Sequence, residues 1–134
     1  MRLHHTLLTL LLVAIVLGSS SCTTSKPTAG QRGYTEEGKA SYYSNKLHGR
    51  KMANGQPYNR HRLTAAHRTL PFGTKVKVTN LQTNKTVKLK ITDRGPFVKG
   101  RVIDLSEAAA KRLDYLDTGI VPVKVKVIKA APSR

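Results

Sequence analysis

Three segments of the chain show a strict alternation of apolar residues and lysines. They are TKVKVTN at 74–80, TVKLKIT at 86–92 and VPVKVKV at 121–127. Successive side chains of a strand point to opposite faces, so each segment predicts a β-strand with valine, leucine or isoleucine inside and lysine outside. The pattern indicates a sheet with one solvated face, in which the lysines also protect strand edges.

Shorter elements fill the space between these strands. The polar segment 81–85 predicts a hairpin between the first two strands. Further strands are expected at 39–44, 63–66 and 101–105. Ser106 is a suitable cap for a helix over 107–113, with Glu107 and Lys111 at helical spacing. Several short strands around one helix are typical of a small closed barrel.

The first 21 residues have the pattern of a secretory signal. A short head with Arg2 is followed by an apolar run at 6–17 and small residues at 18–21. The run is shorter than the roughly 20 residues that cross a bilayer. Cys22, the only cysteine of the chain, follows directly. This order resembles a bacterial lipobox and predicts lipidation of Cys22, with a free thiol or plain secretion as the alternatives.

Composition divides the remainder of the chain. Residues 22–36 are polar and predict a flexible tether. The recurring strand and turn patterns place one domain at 37–130, and 131–134 is a tail. The formal net charge is +17, from 24 basic and 7 acidic residues. Such a charge suggests nucleic acid, an anionic membrane or an acidic polymer as partner, and the export signal excludes nucleic acid.

Two of the seven acidic residues lie close together in ITDRGPFVKGRVIDL, residues 91–105. Asp93 has two interpretations: it accepts backbone N–H groups in the following turn, or it acts as a general acid or base. Asp104 is expected to bond to backbone near the helix start at Ser106. The histidines lack the spacing of a metal site, so neither a metal nor a cofactor is expected.

Four segments together resemble the rare lipoprotein A family, the RlpA-like peptidoglycan lytic transglycosylases with a double-psi β-barrel. They are residues 38–55, 63–81, 91–113 and 121–128. The resemblance implies a mainly β fold, a six-stranded double-psi β-barrel with one short helix, preceded by the signal peptide and tether. In that family a glutamate, a histidine and an aspartate line the glycan groove. His67 and Asp93 match the last two, whereas Gln56 stands where the glutamate is expected.

The resemblance also implies a reaction and a set of residues. Lytic transglycosylases cut the MurNAc–GlcNAc bond with the sugar's own C6 hydroxyl, leaving a 1,6-anhydro end. A single carboxyl group can serve both proton transfers of such a reaction. Asp93 is therefore the expected catalytic residue. The expected substrate-binding residues are His67, Gln56, Tyr43 and Arg94; for His67, a hydrogen-bonded histidine at a strand end is the alternative.

Two functions remain open from the sequence. The first is an endolytic lytic transglycosylase, and the second is a non-catalytic glycan-binding or envelope-organising lipoprotein, which the loss of the glutamate at Gln56 favours. The expected partners are peptidoglycan glycan strands and a membrane reached through Cys22, with no nucleic acid. We expect an exported monomer anchored to a cell membrane, the outer membrane facing the periplasm in a Gram-negative cell.

Overall fold

The structure is a computed structural model that describes residues 22–133. The predicted signal peptide at 1–21 lies outside the described residues. The described part contains six strands, one α-helix and one short 3-10 turn. These are β1 (Thr35–Tyr42), the 3-10 turn (Asn45–Leu47), β2 (Thr64–Ala66), β3 (Lys75–Asn80), β4 (Thr86–Asp93), β5 (Arg101–Leu105), α1 (Glu107–Arg112) and β6 (Val121–Lys129).

The strands close into a barrel in the order β1-β5-β2-β4-β3-β6. Two of the pairings, β1 with β5 and β2 with β4, are parallel, and the others are antiparallel. The predicted six-stranded barrel with one helix is confirmed, as is the predicted hairpin between β3 and β4. Because the barrel is closed, each of the six described strands has a hydrogen-bonded neighbour on both sides.

The inner face of the barrel carries the apolar residues of the alternating segments. In β4 and β6 the valines, Leu89 and Ile91 are buried while the lysines between them are exposed. The core holds Val76 and Val78 of β3, Val87, Leu89 and Ile91 of β4, and Val121, Val123, Val125 and Val127 of β6. The predicted orientation of these strands is therefore confirmed.

Helix α1 begins at the predicted cap, because the Ser106 side chain accepts a hydrogen bond from the Ala109 amide at 3.3 Å. Glu107 and Lys111 lie at the expected spacing on α1, but they form no ion pair with each other. Glu107 instead pairs with Arg60, whose Nε lies 3.0 Å from its carboxylate, and so ties the helix to the loop before β2. Within residues 22–133 no helix is both long enough and apolar enough to cross a membrane.

Strand β1 begins at Thr35, earlier than the strand expected from residue 39 and the domain boundary placed at 37. The missed residues include two acids, which conceal the strand because they interrupt the apolar alternation. The Glu36 carboxylate lies 2.8 Å from the His67 ring, and Glu37 lies 2.9 Å from the Lys124 ammonium group. Both acids are thus paired with residues of other parts of the barrel.

Candidate active site

The two aspartates of the DRGP region lie on either side of the short strand β2. Ala66 of β2 pairs with Asp93 at the end of β4 and with Asp104 of β5. Neighbouring strands are about 4.8 Å apart, so the main chains of the two aspartates are separated by roughly 10 Å. The topology therefore places both acids at the same end of the barrel.

The two oxygens of the Asp93 carboxylate have different partners. Oδ1 accepts hydrogen bonds from the backbone amides of Ala53 and Arg94, each at 2.8 Å. Oδ2 accepts the phenolic hydrogen of Tyr43 at 2.6 Å. The contact with Arg94 is the turn interaction that the sequence left open. It involves only Oδ1, so the turn role does not account for Oδ2, which bonds to Tyr43.

A small cavity of about 190 Å³ borders Asp93. Tyr43 and Tyr58 form part of its wall and pack edge to face, with ring centroids 4.7 Å apart. The full set of lining residues is Tyr43, Leu47, Arg50, Lys51, Met52, Tyr58 and Asp93. A carboxylate between aromatic rings and two cationic side chains can bind a polar group and exchange a proton with it.

Tyr43 remains protonated beside Asp93. Burial raises the pKa of Tyr43 well above its usual value, and the hydrogen bond to the Asp93 carboxylate raises it further. The phenol therefore donates to Oδ2 and does not itself supply a proton to a ligand at neutral pH. We interpret Tyr43 as a positioning residue for the carboxylate.

Tyr43→Phe is expected to lower any activity that depends on Asp93 by about 10- to 100-fold, since a hydrogen bond to a charged group contributes about 1.5–3 kcal/mol. The ring packing on Tyr58 is retained in this variant, so the protein should stay folded, with a melting temperature lowered only by the loss of this hydrogen bond. Tyr42→Phe is the matched control, because the Tyr42 hydroxyl donates to the Leu116 carbonyl and not to Asp93. An equal loss in both variants would contradict the positioning role.

Gln56 belongs to the loop whose Ala53 amide donates to Asp93. The Gln56 side chain, however, faces a neighbouring cavity. The Met52 amide donates to the Gln56 carbonyl at 2.8 Å, and Lys51 forms a bridge with Pro57, so residues 51–57 make a compact turn. The exposed Gln56 side chain lines a cavity of about 600 Å³. Met52 lines both cavities, so Gln56 and Asp93 belong to adjacent parts of one surface.

His67 is buried, and both of its ring nitrogens have partners. Nδ1 accepts hydrogen bonds from the amides of Thr69 and Leu70 at 3.2 and 3.1 Å. Nε2 therefore carries the proton and donates to Glu36 at 2.8 Å. Burial lowers the pKa of His67, and the Glu36 carboxylate opposes that shift. With 2% of its surface exposed, His67 has the geometry of the alternative, a hydrogen-bonded histidine at a strand end.

The Arg94 side chain turns away from the Asp93 carboxylate. Its guanidinium donates to the carbonyls of His67 and Leu70 at 3.1 and 2.9 Å, and it lies 3.9 Å from the centre of the Phe72 ring. These contacts hold together the turn that follows β2. Of the expected substrate-binding residues, Tyr43 and Gln56 thus reach the cavities, whereas the side chains of His67 and Arg94 support the turn.

Asp104 has a different partner from the one expected. The prediction that it bonds to backbone near Ser106 is wrong, because Arg101 Nη2 lies 2.6 and 2.8 Å from its two carboxylate oxygens. Burial raises the pKa of Asp104, and the guanidinium of Arg101 counteracts this effect. The side chain is 13% exposed, so Asp104 is largely withdrawn from solvent.

Two contributors to this region carried no usable signal in the sequence. The Ala53 amide orients Asp93 through a backbone group, which any residue type would supply. Glu36, the partner of His67, lies in the segment interpreted as tether. Among residues 22–133 no three histidine, cysteine or acidic side chains gather in a way that could hold a metal ion.

Two solved structures share the fold of this chain at 26–28% sequence identity. A Streptomyces papain inhibitor superposes with a TM-score of 0.59 and 28% identity over 73% of this chain and 97% of its own. An expansin from Clavibacter michiganensis superposes with a TM-score of 0.56 and 26% identity, covering 75% of this chain and 53% of its own.

Relatives at higher sequence identity share one name. Proteins called endolytic peptidoglycan transglycosylase RlpA are 49% identical over 102 residues in Campylobacter jejuni and 48% identical over 116 residues in Pasteurella multocida. The alignments cover 76% and 86% of this chain but 37% and 38% of those proteins, so the chain spans a little over a third of their length. The lytic transglycolase family matches residues 35–125. The chain therefore belongs to the RlpA family of lytic transglycolases, with a double-psi β-barrel.

Proposed function

We propose that the barrel is an endolytic peptidoglycan lytic transglycosylase, which cleaves the MurNAc–GlcNAc bond and leaves 1,6-anhydro-MurNAc ends. The observation that carries the proposal is the Asp93 carboxylate, which borders a cavity and is held by two amides on Oδ1 and by the Tyr43 hydroxyl on Oδ2. The names of the RlpA relatives support the substrate and the type of reaction.

One carboxyl group is sufficient for the proposed reaction. Asp93 gives a proton to the oxygen that leaves the anomeric carbon as the glycosidic bond breaks. The C6 hydroxyl of the same sugar forms the new bond to that carbon and returns a proton to Asp93. No water is consumed, and the carboxyl group ends the cycle as it began. Because Asp93 serves both proton transfers, the proposed reaction requires no second acid at position 56.

The alternative function is a glycan-binding protein without catalysis, and the observation in its favour is Gln56. An amide is nearly isosteric with a carboxyl group but neither binds nor releases a proton at neutral pH. A protein that had lost activity would keep the barrel and its cavities. The two functions differ in a single measurable product, the anhydro end.

Gln56→Glu separates the two functions. Under the proposed function the unmodified protein produces anhydro-ended fragments, and the new carboxylate is expected to raise the rate by about tenfold through additional acid–base assistance. Mass spectrometry of glycan strands incubated with purified protein measures the fragments. Gln82→Glu makes the same charge change at an exposed position on another loop. Anhydro products from the Gln56→Glu variant alone would establish the non-catalytic alternative for the natural sequence.

We also propose that the barrel works outside the cytoplasm, tethered by a lipid on Cys22 and acting as a monomer on the glycan strands. In this proposal residues 1–21 are the signal peptide, the tether runs from Cys22 to the start of β1 at Thr35 rather than to residue 36, the barrel domain continues to residue 130, and 131–134 is the tail. Cys22 is exposed and forms no disulfide within the described residues. Its sulfur is therefore accessible for the attachment of a lipid. In a Gram-negative cell the anchor would lie in the outer membrane, facing the periplasm.

Cys22→Ser is expected to move the protein from the membrane fraction to the soluble fraction, because a serine hydroxyl does not receive the thioether-linked lipid. Fractionation and immunoblotting of cells that express each form measure the shift. Ser25→Ala, a neutral change in the same tether, should leave the protein with the membrane. Retention of the Cys22→Ser form in the membrane fraction would contradict lipidation.

A further inference from the structure

The larger of the two cavities that Met52 lines has no acidic residue in its wall. It measures about 600 Å³ and is lined by Met52, Asn54, Gln56, Pro57, Asn59, Arg62, Leu63, Thr64, Lys90 and Thr92. We call it the cationic cavity, because Arg62 and Lys90 are its only charged groups. Its walls therefore combine positive charge with amide and hydroxyl side chains.

The charges of Arg62 and Lys90 are not neutralised within the described residues. Neither side chain takes part in the ion pairs that the acids of residues 22–133 form. Glu107, the acid of α1 that contacts the loop before β2, pairs with Arg60. Two unpaired cations facing one concave site attract an anion more strongly than scattered surface lysines do, because the cavity wall excludes part of the screening solvent.

The polar groups of the cavity are also free to bind a ligand. No hydrogen bond within the described residues occupies the side-chain amide of Gln56 or the NH₂ groups of Asn54 and Asn59. Thr64 Oγ1 is buried and lacks a hydrogen-bond partner in the same region. The hydroxyl has almost no accessible surface, so the side-chain amides of Asn54, Gln56 and Asn59 are the groups that offer donors and acceptors to sugar hydroxyl and acetamido groups.

The position of the cavity connects it to the proposed reaction. Met52 lines both cavities, and Thr92 of the cationic cavity immediately precedes Asp93. A chain of sugars that presents its scissile bond to Asp93 would continue into the cationic cavity in one direction. The groups carried by the neighbouring sugar would then face Arg62 and Lys90.

We propose that the cationic cavity is a subsite that binds a carboxylate carried by the glycan strand, with Arg62 and Lys90 as the ion-pairing groups. The inference rests on the proposed function for the identity of the strand. Two sources supply this carboxylate in peptidoglycan: the lactyl group of a MurNAc without a stem peptide, and the stem peptide itself. A neutral glycan of the same length lacks the group that the cavity recognises.

Binding to Asp93→Asn protein tests the proposal without cleavage of the ligand. The probes are peptide-free strands, the same strands with their lactyl carboxylates converted to methyl amides, strands that carry stem peptides, and chitooligosaccharides of equal length. Arg62→Gln with Lys90→Gln removes the two cavity charges. Lys111→Gln with Arg112→Gln is the matched control, because these exposed residues of α1 are also one lysine and one arginine. Isothermal titration calorimetry at low salt measures each affinity.

At least one carboxylate-bearing strand should bind about tenfold more tightly than its methyl amide and than chitooligosaccharide. The difference should disappear in the cavity variant and persist in the control. Preference for the peptide-free strand identifies the lactyl source, and preference for the peptide-bearing strand identifies the stem peptide; both support the subsite. Equal binding of acid and amide, or an equal loss in both double variants, would overturn it.

The outcome is separable from that of the proposed function. A protein that binds carboxylate strands through the cationic cavity but never forms anhydro ends would contradict the proposed function and leave the subsite intact. A protein that forms anhydro ends and binds acid and amide strands equally would contradict the subsite alone.

Discussion

Asp93→Asn is expected to reduce the formation of anhydro-ended glycan fragments by about 10²- to 10⁴-fold, the usual contribution of a general acid–base residue. The asparagine side chain has nearly the same shape and retains an oxygen that accepts hydrogen bonds from the Ala53 and Arg94 amides. It cannot pass a proton between the leaving oxygen and the C6 hydroxyl. The barrel should therefore remain folded while the reaction fails.

Mass spectrometry of the fragments measures this loss, and circular dichroism melting curves confirm folding. Asp114→Asn is the matched control: it removes an exposed acid that pairs with Lys85 at 2.9 Å, and its left-handed backbone suits asparagine. Anhydro ends that form at the normal rate in the Asp93→Asn variant would exclude Asp93 as the acid–base group.

His67→Ala is expected to lower the free energy of unfolding by about 3–5 kcal/mol, because it leaves buried amides without an acceptor and creates a cavity. The amides are those of Thr69 and Leu70, and Glu36 loses its donor as well. Guanidinium denaturation measures the loss. His61→Ala, at an exposed position, should cost much less. A small loss at His67 would show that its hydrogen bonds contribute little to the turn.

The same histidine predicts how stability depends on pH. Burial keeps the folded-state pKa of His67 below the value of about 6.5 found in unfolded chains. As pH falls through 6.5, the unfolded chain binds a proton that the folded protein excludes, so the free energy of unfolding decreases. The decrease ends below the folded-state pKa. Denaturation curves between pH 7.5 and 5 should show this slope, and it should be weaker in the His67→Ala variant.

The sequence predicted those strands that have one buried face and one face in water. In β3, β4 and β6 the apolar residues face the core and the lysines face water, so alternation alone reveals them. The start of β1 escaped prediction because Glu36 faces a buried histidine and satisfies it, which no local pattern indicates. The parallel pairing of β1 with β5 joins strands far apart in the chain, and no local signal specifies that contact.

The candidate site was predictable to a similar extent. Asp93 stood out as an acid in a basic chain, and the family resemblance gave it a role. Tyr43 was expected to contact sugars, whereas its hydroxyl is directed at Asp93, a contact that depends on the packing of two distant segments. The amide of Ala53 could not be predicted, because a backbone donor leaves no trace in residue type. Lys90 was predicted only as an outward lysine of its strand and Arg62 carried no signal, whereas the fold places both in one cavity.

The position of β6 between β1 and β3 has a consequence for the order of folding. Until β6 is in place, the sheet formed by β1, β5, β2, β4 and β3 has open edges at both β1 and β3. The long-range parallel pairs also close slowly, because distant parts of the chain must meet first. The barrel is therefore expected to become stable in a late, cooperative step, so that a chain still emerging from the ribosome stays unfolded until β6 has been synthesised.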